Sequence, residues 1–505
     1  MDPSTTARAE KLDREVVVTG LVVVCGLIMV VFDTTIVNVA LGTVSRQLGA
    51  NLSTAQWIVT GYLLAVGLVI PLTGWAVDRF GTKPVWILSV VLFAAGSALC
   101  ASAWSIESLI AFRVVQGLGG GMLLPGGQTI ITRAAGPARL GRAMAILGVP
   151  MLLGPVFGPV LGGLLVEYTS WHWIFLVNVP VAACAVALAV WKLPGGGEAE
   201  HPGRIDVRGL VLLSGSLVVL LYGLSRASSQ GGFGHWSVLA WLIAGGAGLA
   251  LYTWHSLARG PASLIDVRLF TDRYFTAGTV TIFLVAVALF GGLLLLPLYY
   301  QTVRGEGALA AGLLLAPQGL GAMVAMPLAG RLTDRVGAGF VVPVGIVLAL
   351  LGTAPLGMLG TGTSYGWLSA VLFVRGLGLG SVMMPTFAAA YAQLDPRAVS
   401  RAAPTLSAIQ QIGASLGSAL LVTALTQHLT GELTARGIPA VGAGANQITS
   451  MPPAVRATVA PILAESFGFA FWVAFGMTAA LIVPALLLPR HPRRSVSASP
   501  MAPGA

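Results

Sequence analysis

The chain reads as long apolar runs broken by short polar segments. The runs fall near residues 16–41, 55–77, 85–103, 107–131, 141–166, 172–191, 207–225, 236–256, 274–301, 308–330, 340–358, 365–391, 402–427 and 466–488. At ~1.5 Å rise per residue, roughly 20 apolar residues cross the ~30 Å hydrocarbon layer of a bilayer. The pattern therefore predicts fourteen spanning helices. The first run follows a polar stretch of mixed charge and is too long for a signal-peptide core, so it is expected to stay as an anchor.

Charge tests this count. An even number of spans puts both termini on one side. If that side is the cytoplasm, the opposite loops hold only Arg46, Arg226, Arg304, Arg436 and Arg456 of the 28 Lys and Arg residues. Arg113 and Arg375 fall inside spans, and the other basic residues are inside. This is the positive-inside bias, and removing one early span would destroy it. The +10 net charge is thus a topology signal and no argument for nucleic-acid binding. Composition agrees with a membrane protein: 56% of residues are hydrophobic and 9% charged, with mean hydropathy +0.86, against about 25% charged in soluble domains. Cys25, Cys100 and Cys184 all lie in apolar runs, so no structural disulfide is expected.

The two halves repeat. Gly74-Trp75-Ala76-Val77-Asp78-Arg79-Phe80-Gly81 follows the second span, and Gly330-Arg331-Leu332-Thr333-Asp334-Arg335-Val336-Gly337 follows the tenth. Glycine runs at 117–121 and 376–380 each precede a proline, Pro125 and Pro385. Repeated halves with a site between them are a common plan of secondary transporters. The expected organisation is a tail at 1–15, a six-helix bundle at 16–191, a linker at 192–206 and an inserted two-helix hairpin at 207–256. A second linker at 257–273 leads into a six-helix bundle at 274–488, with an outer loop at 428–465 and a tail at 489–505.

Candidate chemistry is sparse, which makes it readable. Asp33 is the only acid placed deep in a span, where desolvating its charge is costly, so it is a functional hypothesis by default. Arg113 is the deep base of the first half. Gln116 shares its helix face. One acid and one base at depth suggest a proton-coupled transport site, although snorkelling to the headgroups also accounts for an arginine near a helix end. Arg375 sits nearly a turn out of register with Arg113 relative to its glycine run and is not treated as equivalent. Gly154, Gly158 and Gly162 recur every four residues on one helix face, and Pro155 and Pro159 each remove a backbone hydrogen bond. Helix packing alone would also use such a face. Asn38, Gln116, Tyr300, Gln301, Gln410, Gln411 and Met384 offer the mixed amide, aromatic and thioether surface that a drug pocket needs. No metal-ligand cluster, phosphate loop or nucleophile–base arrangement is present in the sequence. No cofactor is expected beyond the proton gradient as energy source, and no ATP.

These motifs resemble the major facilitator superfamily, specifically its fourteen-span drug:proton antiporter branch of the QacA and EmrB type. The resemblance covers nearly the whole chain. Asp33 through Leu41 looks like the branch's first-span motif, with Gly42 where proline is usual. Gly74 through Lys83 resembles the superfamily's loop motif, with Thr82 replacing an arginine. Arg113 with Gln116 and Gly117 resembles the fourth-span motif, and Gly154 through Gly163 the fifth-span antiporter motif. Trp171 through Pro180, including Asn178, resembles the sixth-span entry, with His172 where arginine is common.

The resemblance implies an all-α integral membrane protein with the major facilitator fold: two six-helix bundles plus two inserted central helices. It implies a proton-coupled exporter of lipophilic cationic or neutral small molecules in the bacterial inner membrane, where the charge pattern puts both termini in the cytoplasm; the sequence leaves the oligomeric state open, with a monomer favoured. Asp33 and Arg113 would couple protons. Gly74, Asp78, Arg79, Gly81 and Lys83, echoed by Asp334 and Arg335, would form a conformational latch in which Asp78 meets the N-terminal end of a helix from the other half. The antiporter helix would face the other half. A dedicated exporter of an endogenous metabolite or lipid uses the same machinery and is the alternative; a membrane sensor without transport is the reading from a different class.

Overall fold

The computed structural model describes residues 13–50, 52–136, 139–194, 205–230, 232–260, 263–392, 394, 398–437 and 453–490. All its described elements are helical. The first half comprises α1 (Arg14–Gln47), the short α2 (Leu52–Ala55), α3 (Trp57–Val69), α4 (Leu72–Phe80), α5 (Thr82–Ala101), α6 (Ile106–Ala135), α7 (Leu140–Tyr168), the short α8 (Trp173–Leu176) and α9 (Asn178–Lys192). The hairpin α10 (Val207–Ser229) and α11 (Trp236–Arg259) follows. The second half comprises α12 (Arg273–Thr302), α13 (Ala308–Val336), α14 (Ala338–Thr353), α15 (Tyr365–Ala392), α16 (Val399–Ala435), α17 (Pro453–Ala480) and the short α18 (Ile482–Ala485).

Twelve helices are long and apolar enough to cross a membrane. The pair α3/α4 adds a thirteenth if its two pieces, bent by 53°, count as one span. Pro71 lies in that break, where its missing N–H and fixed ring favour a bend. The remaining expected span coincides with α7, 29 residues long.

Packing follows the repeat. In the first half α1 packs on α7, α6 and α9, α3 on α6, and α5 on α6 and α9. In the second, α12 packs on α16, and α13 and α14 both pack on α15. The halves meet through α7 against α13 and through α4 and α6 against α16. In the inserted hairpin α10 lies against α3 and α16, while α11 touches chiefly α10. Trp236, Ile243, Leu251, Trp254 and Leu257 of α11 are exposed. An apolar face of that size on an outer helix is suited to lipid.

One expected segment is shorter than its sequence suggested. Within 428–465, α16 continues to Ala435 and α17 begins at Pro453; residues 438–452 lie outside the described set. Leu429, Leu433, Val459, Ile462 and Leu463 are buried in one cluster with Tyr299 and Phe467. Apolar residues at helical spacing thus extend both helices past the continuous apolar runs.

The glycine face of α7 packs within its own half. A Cβ on Gly154 would collide with Val31, one on Gly158 with the Thr35 side chain, and one on Gly162 would crowd Ile36, all on α1. Thr35 Oγ1 donates to the Gly154 carbonyl at 3.2 Å. The expectation that this face turns to the other half is therefore corrected: small residues are needed there because the α1 and α7 backbones nearly touch. The side chains of Pro155 and Pro159 lie outside the described residues. It is the earlier part of α7, Gly141 and Gly148, that meets the other half, at Gly330, Asp334, Met326 and Met384. The second half repeats the device unannounced by any Gly-Pro motif: Gly413 and Gly417 of α16 lie on the backbone of α12 at Phe283 and Val287.

Gly158→Leu is accordingly expected to separate α1 from α7, at a cost of roughly 1–3 kcal/mol or more. Folded yield and transport should fall together, as read by detergent size-exclusion and thermal unfolding. Gly417→Leu should behave alike, because its obstacle is backbone.

Candidate functional site

The site grows from one face of α1. Asp33 lies 19 residues after the start of α1, in a helix otherwise apolar at this depth, and only 1% of it is exposed. Its carboxylate meets the Arg113 guanidinium of α6: Nη1 to Oδ2 is 2.5 Å. Arg113 is equally buried, so snorkelling to the surface does not describe it. Its Nη1 also donates to Gln116 Oε1 at 2.6 Å, and its Nε to the Ile58 carbonyl at 3.1 Å. Gln116 closes the ring by donating from Nε2 to Asp33 Oδ1 at 2.8 Å and to Ser97 Oγ at 2.7 Å. Asn178, at the start of α9, donates to Ser97 Oγ at 3.0 Å and lies 3.4 Å from Asp33 Oδ1. The guanidinium carbon stands 4.1 Å from the Tyr62 ring centre, a cation–π contact strengthened by desolvation.

Five helices thus converge on one acid and one base. Bringing both charges out of water costs several kcal/mol per ion unless hydrogen bonds and the partner charge offset it. Here both carboxylate oxygens have donors. Local glycines permit the convergence: a Cβ on Gly96 would fall 2.5 Å from the Gln116 backbone, and one on Gly117 2.7 Å from the Tyr62 carbonyl. Sequence reasoning found Asp33 and Arg113; Gln116, expected in the substrate cavity, belongs to this ring instead. The same reasoning noted Asn178 only as part of a motif and missed Ser97, whose one available signal was a hydroxyl in an apolar span, directly after Gly96.

The latch residues form two related contacts between the halves. Gly330 packs on Gly141, and Asp334 accepts from the backbone N–H of Gly141 at 2.8 Å and of Arg142 at 3.3 Å, and from Arg142 Nε at 2.7 Å. Asp334 therefore sits at the N-terminus of α7, where the free N–H groups and helix dipole favour an anion. On the other side, a Cβ on Gly74 would lie 2.8 Å from the Ser400 carbonyl at the start of α16. Asp78 pairs with Arg401 at 3.5 Å and Arg133 at 3.9 Å. Asp78 thus reaches the start of the other half's helix through a side chain, while Asp334, the weaker expectation, makes the direct backbone contact. Gly81 and Gly337 hold φ of 87° and 86°, left-handed values that end α4 and α13 and suit glycine. Lys83 donates to the Val190 and Leu193 carbonyls at 2.8 and 2.9 Å, capping the end of α9. Arg79 and Arg335 are exposed. Deeper between the halves, Tyr391 Oη donates to Gln128 Oε1 at 3.0 Å.

The expected cavity residues do not gather. Gln410 and Met383 line a small cavity with Ile282, Val285, Ala286 and Phe387. Gln410 is 4% exposed and neither amide atom has a partner. Met384 packs between the halves beside Met326 and Gly148. Tyr300 is buried next to Tyr299 and Tyr365 near the far end of α12, with Gln301 and Gln411 half-buried on their helices. Asn38 is exposed and donates back to the Thr34 carbonyl at 3.0 Å. These positions lie on different walls because helix contacts, which the sequence alone does not display, decide which faces meet.

A chain of two repeated helical halves, carrying a buried acid–base pair and glycine-acid loops at the crossover, has the build of a secondary transporter. It matches the Major Facilitator Superfamily over residues 23–422 and belongs to that family of membrane transporters. It is 40% identical over 495 residues to "Multidrug resistance protein B homolog" of Mycobacterium tuberculosis (strain H37Rv), covering 95% of this chain and 92% of that one. It is 32% identical to "Putative multidrug resistance protein MdtD" of Serratia proteamaculans, over 81% of this chain and 85% of that one. In fold it resembles the proton:xylose symporter XylE, with a TM-score of 0.58 at 14% identity over 94% of this chain and 97% of that one. The human organic anion transporter MFSD10 gives a TM-score of 0.58 at 16% identity over 92% and 99%. The chain is thus a multi-pass membrane transporter.

Two predictions follow from the latch and the ring. Asp334→Asn keeps shape but removes the charge from the α7 N-terminus, a hydrogen-bonded charge worth about 1.5–3 kcal/mol. The spacing between α7 and α13 at that end, measured by spin-label distances, should shift toward the separated population by about tenfold or more. Ser97→Ala leaves Gln116 and Asn178 each short of a partner and should lower the thermal midpoint measurably, at about 1–3 kcal/mol.

Proposed function

We propose that the protein is a proton-coupled exporter of lipophilic small molecules, with Asp33 as the proton site. The observation that carries this is the ring around Asp33: the carboxylate is paired with Arg113 out of contact with water, and its protonation would strand a buried guanidinium. Losing one partner of a buried pair costs about 3–5 kcal/mol, enough to bias a two-state rocking equilibrium by more than a hundredfold. Proton arrival from outside would release Arg113, loosen α1 from α6 and so favour one arrangement of the halves. Deprotonation toward the cytoplasm would restore the pair.

A free carboxylate facing the cavity would attract a cation directly, but Asp33 is enclosed in the first half and neutralised by Arg113. Proton and substrate would then be coupled through helix position, and the substrate need not be cationic. The names of the relatives support drug export; the alternative, export of an endogenous metabolite or lipid, uses the same coupling. The positive-inside pattern supports a cytoplasmic side for the latch end and both termini, in an inner membrane. In this conformation the halves are joined at that end.

The test is proton flux in proteoliposomes against cationic, neutral and anionic compounds. Asp33→Asn should abolish gradient-driven export while the protein still folds and inserts. Arg113→Lys should also lose at least tenfold, because a point charge cannot serve Asp33, Gln116 and Ile58 together. Full gradient-driven efflux by Asp33→Asn with unchanged pH dependence would place coupling elsewhere.

A further inference from the structure

The two halves can be compared residue by residue through their glycine contacts. In the first half Gly96 of α5 lies on the backbone of Gln116, and Gly117 lies on the Tyr62 carbonyl. In the second, Gly352 of α14 lies on the backbone of Arg375, and Gly376 lies on the Gln318 carbonyl. Likewise Gly119 meets Phe93 and Ser89, where Gly378 meets Ala349 and Gly345. Arg375 therefore occupies the place of Gln116, not of Arg113. Gln318 stands for Tyr62, and Thr353, directly after Gly352, stands for Ser97.

The polar shell of the proton site is thus retained in the second half, but its charges are altered. Arg375 is 2% exposed. Its Nη1 donates to Gln318 Oε1 at 2.9 Å and its Nε to Thr353 Oγ1 at 3.3 Å, both neutral oxygens. No carboxylate among the described residues pairs with it. On α1 the residue facing Gln116 is Asp33; on α12 the residue facing Arg375 is Gly292, where an added Cβ would run into Arg375 Nη2. The acid of the first half has been exchanged for a bare backbone, and a guanidinium has been set against it. A charge at this depth, served only by neutral oxygens, is costly without a counter-charge.

We propose that Arg375, with Gln318 and Thr353, is an anion-binding site of the second half. It takes a monovalent anionic group at the guanidinium edge now packed on Gly292: the carboxylate of a bound small molecule or a halide from solution. The guanidinium supplies charge and a planar fork, and Gln318 and Thr353 hold it in place. Glycine at 292 lets the guanidinium lie directly on the α12 backbone, so Nη2 must move off Gly292 to receive the anion. The site is separate from Asp33 and does not depend on which compound is exported.

The experiment titrates purified full-length protein in detergent with chloride or with benzoate, holding ionic strength with methanesulfonate. Thermal unfolding is followed by intrinsic tryptophan fluorescence. A saturable rise in the midpoint with either anion is expected. Arg375→Gln should weaken the apparent affinity at least tenfold. Gly292→Asp should do the same by placing an internal carboxylate against the guanidinium; the obstructing atom there is the end of a flexible side chain, so the fold can accommodate it. If Arg375→Gln does not fold, Gly292→Asp decides alone. A response to chloride alone assigns the site to a halide, and a response to benzoate alone to a carboxylate. No saturable response to either anion overturns the proposal, as does a response that Arg375→Gln retains in full.

Discussion

The ion pair between Asp33 and Arg113 imposes conditions on everything around it. Neither charge tolerates the bilayer alone, so each must be reached by the other and by neutral donors and acceptors from other helices. Gln116, Ser97, Asn178 and the Ile58 carbonyl supply these from α6, α5, α9 and α3. Such convergence requires backbones close enough for short side chains to meet. Gly96 and Gly117 provide that closeness beside the pair, and Gly154 and Gly158 hold α1, the helix that carries the acid. The glycine motifs and the charged motif therefore serve one end. Small residues bring the helices together, and the charges then fix their register.

The same logic explains where motion is possible. Within each half, glycines such as Gly96, Gly117, Gly413 and Gly417 lie on a neighbouring backbone and leave little room to slide. Between the halves, the contacts at the latch end include exchangeable ones: Asp334 on the N–H groups that start α7, Asp78 with Arg401, Tyr391 with Gln128. Water can replace each of these at modest cost. A body packed closely within its halves and joined by replaceable contacts between them is suited to rocking rather than bending.

Much of this was legible in the sequence, for definite reasons. Span positions follow from hydropathy, because a bilayer demands unbroken apolar length. The repeated loop motif marks the halves because glycine and aspartate at that spacing do a job twice. Asp33 stood out because acids are so rare at depth. What stayed hidden were matters of helix facing. The Gly154–Gly162 stripe shows that something packs closely but not whether it is α1 or the other half. Gln410, Tyr300 and Asn38 are each plausible for a cavity, yet their helices turn them to different places. The ends of α16 and α17 were missed because Leu429, Leu433 and Ile462 are spaced along a helix face rather than run together.

Arg375 shows how a repeat can be read against itself. Sequence alone displays an arginine before a glycine run in both halves and invites equivalence. Counting from the glycines puts Arg113 a turn earlier, and the backbone contacts confirm that offset by pairing Gly352 with Arg375 as Gly96 pairs with Gln116. The halves thus share a shell but differ in charge: the first holds a neutral pair and the second a lone cation. In the proposed cycle Asp33 would take up the proton while Arg375 keeps its charge. Duplication followed by the divergence of a few residues is a short route from one shell to two such different sites.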